Sequence, residues 1–163
     1  MTETPTRILF VCMGNICRSP TAEGVFRKML ADKEQSGFVE TDSCGTHAYH
    51  VGKAPDPRSQ AAAQERGVDI SDLRARQVEL SDFEYFDYIL AMDQQNLEIL
   101  LAEVSTAHRD KVRLFLEFAN DVSEIEVPDP YYGGGRGFEH VLDLIENASA
   151  GLINHLRQSG RIR

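Results

Sequence analysis

Hydrophobic positions in this chain fall into short solid runs, separated by longer stretches in which they recur every three or four residues. Arg7 to Cys12 (RILFVC) is the first solid run, and apolar residues on both faces of so short a segment mark a strand buried in a parallel sheet. Ser19-Pro20 then predicts a helix start, with Ser19 as N-cap and Pro20 in the first helical position. Val25, Phe26, Met29 and Leu30 give that helix an apolar face as far as about Lys33. A second strand is predicted over Phe38 to Ser43, followed by the turn-rich loop GTHAYHVGKAPDPR. Ser59 to Arg66 reads as a short helix closed by Gly67. Phe86 to Met92 (FDYILAM) is the third strand, after which Asp93 caps a helix carrying Leu97, Leu100 and Leu101. Val112 to Phe115 makes a weaker fourth strand. A loop between Ser123 and Gly137 leads to an amphipathic helix from about Phe138 to Leu156. Strands alternating with helices predict an α/β fold whose parallel sheet is covered on both faces. With no repeat, low-complexity tract or linker in 163 residues, a single domain over 1–163 is expected.

Composition narrows the partners. Apolar content of 42% and charged content of 26% suit a soluble globular protein, and the formal net charge is −9. That charge argues against general nucleic-acid binding and membrane association, so an anionic substrate needs a local positive site. The N-terminal MTETPTR has neither region of an export signal, and no apolar run approaches a membrane span. Cys12, Cys17 and Cys44 form an odd set better suited to free thiols in a reducing, cytoplasmic setting than to a disulfide framework. Their spacing matches no zinc pattern, so neither metal nor other cofactor is expected.

The candidate chemistry sits where the first strand hands over to a helix, in VCMGNICRSP (residues 11–20). Ligands of open α/β sheets bind beyond the carboxyl ends of strands, and helix N-termini present unpaired N–H groups that favour phosphate. Gly14 and Asn15 tolerate the unusual dihedrals that let successive N–H groups curl inward as a nest. Arg18 opposes the helix dipole by itself, whereas an anion shared between its guanidinium and the backbone N–H groups reverses that sign. All three features favour a thiolate at Cys12, placed to attack a phosphorus held by the loop. Far along the chain, Asp129 lies in VPDPYY, after the fourth strand and so at the same sheet edge as Cys12. Its flanking prolines stiffen the loop. Local sequence alone favours an ordinary Asp-Pro turn there.

The stretch Cys12-Met-Gly-Asn-Ile-Cys17-Arg18-Ser19-Pro20 resembles the signature of the low-molecular-weight protein tyrosine phosphatases. The likeness continues through SPTAEGVF, SCGT, APDPR, FDYILAMD and DPYYG, so it spans nearly the whole chain. It implies a flavodoxin-like three-layer sandwich around a central four-stranded parallel sheet. It also implies hydrolysis of phosphotyrosine in proteins, and of aryl phosphate monoesters, through a cysteinyl-phosphate intermediate that releases inorganic phosphate. Cys12 becomes the nucleophile and Arg18 the phosphate clamp, with Asp129 as general acid and then base. Met13, Gly14, Asn15, Ile16, Cys17 and Arg18 become the phosphate-binding loop. Ser19 and Ser43 would support that loop by holding Asn15 and steadying Cys12, and Tyr49, Tyr131 and Tyr132 would wall an aromatic slot. The resemblance further implies a protective disulfide between Cys12 and Cys17 on oxidation. Two departures stand out. Tyr49 replaces a tryptophan of many relatives, and Leu73 lies near a histidine that in several relatives pairs with a second-strand acid, so Asp42 must be held differently or not at all.

Rival readings each lack a part. A Walker-type loop needs Gly-Lys-[Ser/Thr], which is absent. The arsenate reductases that share the fold need two further cysteines around residues 80–90, where none occurs. In the protein-arginine phosphatase subgroup the loop reads Cys-Thr-Gly-Asn-Thr-Cys-Arg; apolar Ile16 suits a phenyl ring better than a guanidinium. A non-catalytic phosphate-binding module could lose nucleophile or acid, and both are present. His47 and His50 fit either solvated loop positions or substrate contacts. A monomer acting on phosphotyrosine-containing proteins is the expectation that results.

Overall fold

Four parallel strands, β1 (Thr6–Cys12), β2 (Val39–Gly45), β3 (Tyr88–Ala91) and β4 (Val112–Leu114), form one sheet in the order β2-β1-β3-β4. The computed structural model describes residues 4–132 and 136–163, and of Tyr132 and Arg136 the backbone alone. Around the sheet lie α1 (Arg18–Asp32), α2 (Pro57–Glu65), α3 (Leu80–Tyr85), α4 (Gln94–Glu103) and α5 (Arg136–Gln158). The strand order reverses between β1 and β3, so the carboxyl end of β1 opens onto the crevice where doubly wound sheets hold ligands. This is the parallel α/β arrangement that the alternating pattern predicts, in the flavodoxin-like form that the family resemblance implies.

The solid apolar run of β1 is explained by its two neighbours. Ile8, Phe10 and Cys12 face a core built with Phe26 of α1 and Leu142 and Ile145 of α5. Leu9 and Val11 face a second core containing Phe83, Phe86 and Leu100. Phe10 is fully buried, with the rings of Phe26 and Phe115 edge-on at 5.8 and 5.2 Å. Burial of this kind, at about 25 cal/mol per Å² of apolar surface, fixes the edge of the sheet from which the site projects. No described helix is long and apolar enough to cross a membrane.

Several boundaries differ from the sequence reading, and one difference matters for the site. Helix α1 starts at Arg18, with Cys17 in the N-cap position and no side-chain cap. Ser19 is therefore not the N-cap. It lies in the first helical turn, and its hydroxyl serves the loop instead. Pro20 follows it one position later and is tolerated there because first-turn N–H groups have no intrahelical partner. Strand β2 ends two residues beyond the predicted Ser43, pairing Ser43 with Phe10 and Gly45 with Cys12. A Cβ at Gly45 would come within 2.6 Å of the Met13 carbonyl oxygen, so only glycine lets the loop settle against β2. The six-residue α3, opened by a reciprocal cap between Glu79 and Asp82, precedes the third strand, which starts at Tyr88 rather than at the predicted Phe86. Asp93 caps α4 as expected, its Oδ1 accepting from the Asn96 N–H at 2.7 Å.

Candidate active site

The segment Met13–Cys17 bridges β1 and α1, and neighbouring backbone holds its carbonyls from outside. Thr46 N–H donates to the Cys12 carbonyl at 2.9 Å, His47 N–H to Met13 at 3.0 Å, Asp56 N–H to Ile16 at 2.8 Å and Thr21 N–H to Cys17 at 3.3 Å. With the carbonyls turned outward, the N–H groups turn inward. Among the described residues, those of Met13, Gly14, Ile16 and Cys17 donate to no protein acceptor. Asn15 makes the turn possible with φ +58°, a left-handed conformation that asparagine tolerates better than most residues. Its own N–H donates to Cys12 Sγ at 3.2 Å. The loop thus forms a ring of inward-facing donors at the end of β1.

Side chains behind the loop hold that shape. Asn15 Nδ2 donates to Ser19 Oγ at 2.7 Å and to Ser43 Oγ at 3.1 Å, and Ser19 Oγ lies 3.0 Å from Cys12 Sγ. The Arg76 N–H donates to Asn15 Oδ1 at 3.0 Å. Both serines therefore touch Asn15, and Ser19 touches Cys12 as well.

Arg18 is only 3% exposed, and its Nη1 donates to Asp93 Oδ2 at 2.6 Å and to the Val127 carbonyl at 3.0 Å. Its Nη2 lies 3.7 Å from Asp129 Oδ2, which brings the distant loop to the cradle. Asp129 Oδ1 in turn accepts from the Tyr131 N–H at 3.0 Å, fixing the carboxylate within its turn. These groups open into a pocket of about 220 Å³ lined by Cys12, Gly14, Arg18, Asp129 and the side walls Ile16, Tyr49, His50 and Tyr131. Tyr49 and Tyr131 face each other across His50, whose ring centroid is 6.5 Å from the first and 6.3 Å from the second. His47 instead stacks on Tyr49 at 5.1 Å. Arg58 lies over the Tyr131 ring at 5.4 Å and steadies that wall. Tyr132, the third residue expected in the slot, has its backbone in the turn Pro130–Tyr132, and its side chain lies outside the described residues.

Cys17 stands apart from Cys12. Burial pushes its thiol up to about 12, against a hydrogen bond with Ser59 that opposes the rise. It is a protonated thiol at neutral pH. All three cysteines are free.

Three site residues escaped sequence reading. Asp93 was read only as a helix cap, yet its second oxygen holds Arg18. Arg76 grips Asp42 Oδ2 through Nε at 3.2 Å and Nη2 at 3.0 Å and also binds Asp82, so Asp42 is held by a guanidinium. Glu23 accepts from Ser43 Oγ at 2.8 Å in the interior. A buried acid on the apolar side of a helix is the one signal that could have singled it out.

Comparison with known proteins agrees with this geometry. The sequence profile described as "Low molecular weight phosphotyrosine protein phosphatase" matches residues 7–161. A "Low molecular weight protein-tyrosine-phosphatase" of Streptomyces coelicolor is 42% identical over 156 residues, covering 93% of this chain and 94% of that one. A "Low molecular weight phosphotyrosine protein phosphatase" of Schizosaccharomyces pombe is 49% identical over 137 residues, covering 81% and 85%. Among solved structures, a protein tyrosine phosphatase from Entamoeba histolytica superposes with a TM-score of 0.92 at 40% identity, covering 95% of this chain and 99% of that one.

Proposed function

This chain belongs to the low molecular weight phosphotyrosine protein phosphatases, and from that premise we propose that it hydrolyses phosphotyrosine in proteins with Cys12, Arg18 and Asp129 as its reacting groups. The observation that carries this assignment is the ring of inward N–H groups around Cys12, with Arg18 and Asp129 converging on the same pocket.

Bound phosphate oxygens take the free N–H groups of the loop and the guanidinium edge of Arg18 that Asp93 and Val127 leave open. Asp93 and the Val127 carbonyl hold Nη1, so the arginine meets its anion already oriented. Charge that spreads over the equatorial oxygens during transfer is met by donors fixed in advance. The Cys12 thiolate forms the S–P bond as the bond from phosphorus to the phenolic oxygen breaks. Asp129, in its acid form, gives its proton to that departing oxygen. As a carboxylate it then accepts a proton from water, which attacks phosphorus and breaks the S–P bond, releasing inorganic phosphate and restoring Cys12. Ile16, Tyr49 and Tyr131 offer apolar walls to the tyrosine ring, and no metal or other cofactor enters the scheme.

The net charge of −9 supports a monomer, and the three free cysteines support a reducing, cytoplasmic setting. Hydrolysis of p-nitrophenyl phosphate in the presence of EDTA, with wild type beside Cys12→Ser, tests the assignment. Activity is expected to survive EDTA and to vanish in the variant; an undiminished variant overturns it.

A further inference from the structure

Four consecutive hydrogen bonds join a buried acid to the nucleophile. Ser43 Oγ donates to Glu23 Oε1 at 2.8 Å, Asn15 Nδ2 donates to Ser43 Oγ at 3.1 Å and to Ser19 Oγ at 2.7 Å, and Ser19 Oγ lies 3.0 Å from Cys12 Sγ. The chain has a direction. An amide nitrogen only donates, so both Asn15 hydrogens are committed to serine hydroxyls. Each hydroxyl must then send its own hydrogen onward. Ser19 has Cys12 Sγ or the Cys44 carbonyl at 3.3 Å, and Ser43 has Glu23. Without an acceptor at the far end, the Ser43 hydrogen would compete with the Asn15 amide that it now receives.

Glu23 is 5% exposed, and its charged neighbours are already engaged. On its own helix, Arg27 donates to Asp72, which belongs to the segment after α2. On β2, Asp42 is held by Arg76, which also binds Asp82. Among the described residues, no Lys, Arg or His nitrogen lies within 4.0 Å of the Glu23 carboxylate. Burial pushes the carboxyl up to about 7; the Ser43 hydrogen bond and Arg27 oppose the rise, while Asp42 and Asp72 add to it. A proton taken from solvent at Glu23 makes the group a donor as well as an acceptor, and that can reverse its bond to Ser43.

We propose that Glu23 is a positioning residue of the phosphate cradle, setting through Ser43 the hydrogen-bond direction of the Asn15 amide and hence the left-handed turn that aims the loop at phosphate. It touches neither substrate nor reacting atoms. The inference rests on the reading of residues 12–18 as that cradle.

The test follows the Asn15 side-chain amide by NMR in the wild-type protein from about pH 5 to 9, beside the carboxyl carbon of Glu23. The two signals are expected to titrate with one midpoint, and Glu23→Gln to abolish the Asn15 titration. Kinetics and sulfate binding, sulfate keeping a constant charge over this range, supply the second measurement. Glu23→Leu and Ser43→Ala are each expected to lower kcat/KM for p-nitrophenyl phosphate and sulfate affinity by about fivefold or more, and the double variant to lose no more than either single one. An Asn15 amide that ignores the Glu23 titration, or losses that multiply in the double variant, overturns the proposal. If Glu23→Leu fails to fold, the wild-type titration still decides. A wild-type protein that neither binds sulfate nor hydrolyses the ester refutes the cradle itself, which is a different result from an active enzyme whose Asn15 amide is indifferent to Glu23.

Discussion

Asp93 holds Arg18 with one carboxylate oxygen, at 2.6 Å, and caps α4 with the other, at 2.7 Å. One side chain thereby ties the phosphate-facing guanidinium to the start of a helix on the neighbouring strand. Asparagine is as good a cap as aspartate, so Asp93→Asn separates the two roles. The expected outcome is a thermal midpoint close to wild type and a kcat/KM lower by about 10- to 100-fold, because a misplaced clamp loses transition-state contacts. A variant with full activity would show that Val127 alone orients Arg18.

Asp129 is set 3.7 Å from Arg18 and fixed in its turn by the Tyr131 N–H at 3.0 Å. Proton donation matters in proportion to the basicity of the departing oxygen. For Asp129→Asn, phenyl phosphate turnover is expected to fall by roughly 10²- to 10⁴-fold and p-nitrophenyl phosphate turnover by much less. Steady-state kinetics across substituted phenyl phosphates reads the difference as a steeper dependence on leaving-group pKa. Equal losses along the series would remove the acid role from Asp129.

Much of this was readable beforehand, for physical reasons that differ by residue. β1 is buried on both faces, so its apolar run is unbroken and its end is unambiguous. The loop after it declares itself through Arg18, a cation where the helix dipole disfavours one. Ser19 misled because a serine before Pro20 fits an N-cap, whereas here its hydroxyl is drawn to Asn15 and Cys12. α3 carries an exposed Leu80 over only six residues, too little for a helical stripe to show. Arg76 and Glu23 act through contacts to side chains 34 and 20 residues away, and no local pattern encodes such pairs.

Cys17 enters any protective disulfide as a thiol that burial has pushed up to about 12. Attack on an oxidised Cys12 needs the thiolate, and the thiolate fraction rises about tenfold per pH unit below that value. After a peroxide pulse, activity recoverable by dithiothreitol is expected to be larger at pH 8.5 than at 6.5, and Cys17→Ser to lose recovery at both. Equal recovery in Cys17→Ser would show that Cys17 plays no part in trapping oxidised Cys12.

Glu23 also makes a prediction about stability that does not depend on catalysis. Burial raises its carboxyl from an ordinary 4.5 to about 7 in the folded protein. Between these values the unfolded chain has released the proton while the folded one still holds it, so this group's contribution to stability falls as pH rises. Below the lower value both states are protonated and above the upper one both are ionised, so the contribution is flat outside the window. Glutamine at this position is neutral throughout. The stability of Glu23→Gln relative to wild type is therefore expected to climb between pH 4.5 and 7 by roughly 3 kcal/mol, then level off. Urea unfolding at half-unit intervals measures it, and two curves that stay parallel across the window would mean that the buried carboxyl ionises as readily in the fold as in water.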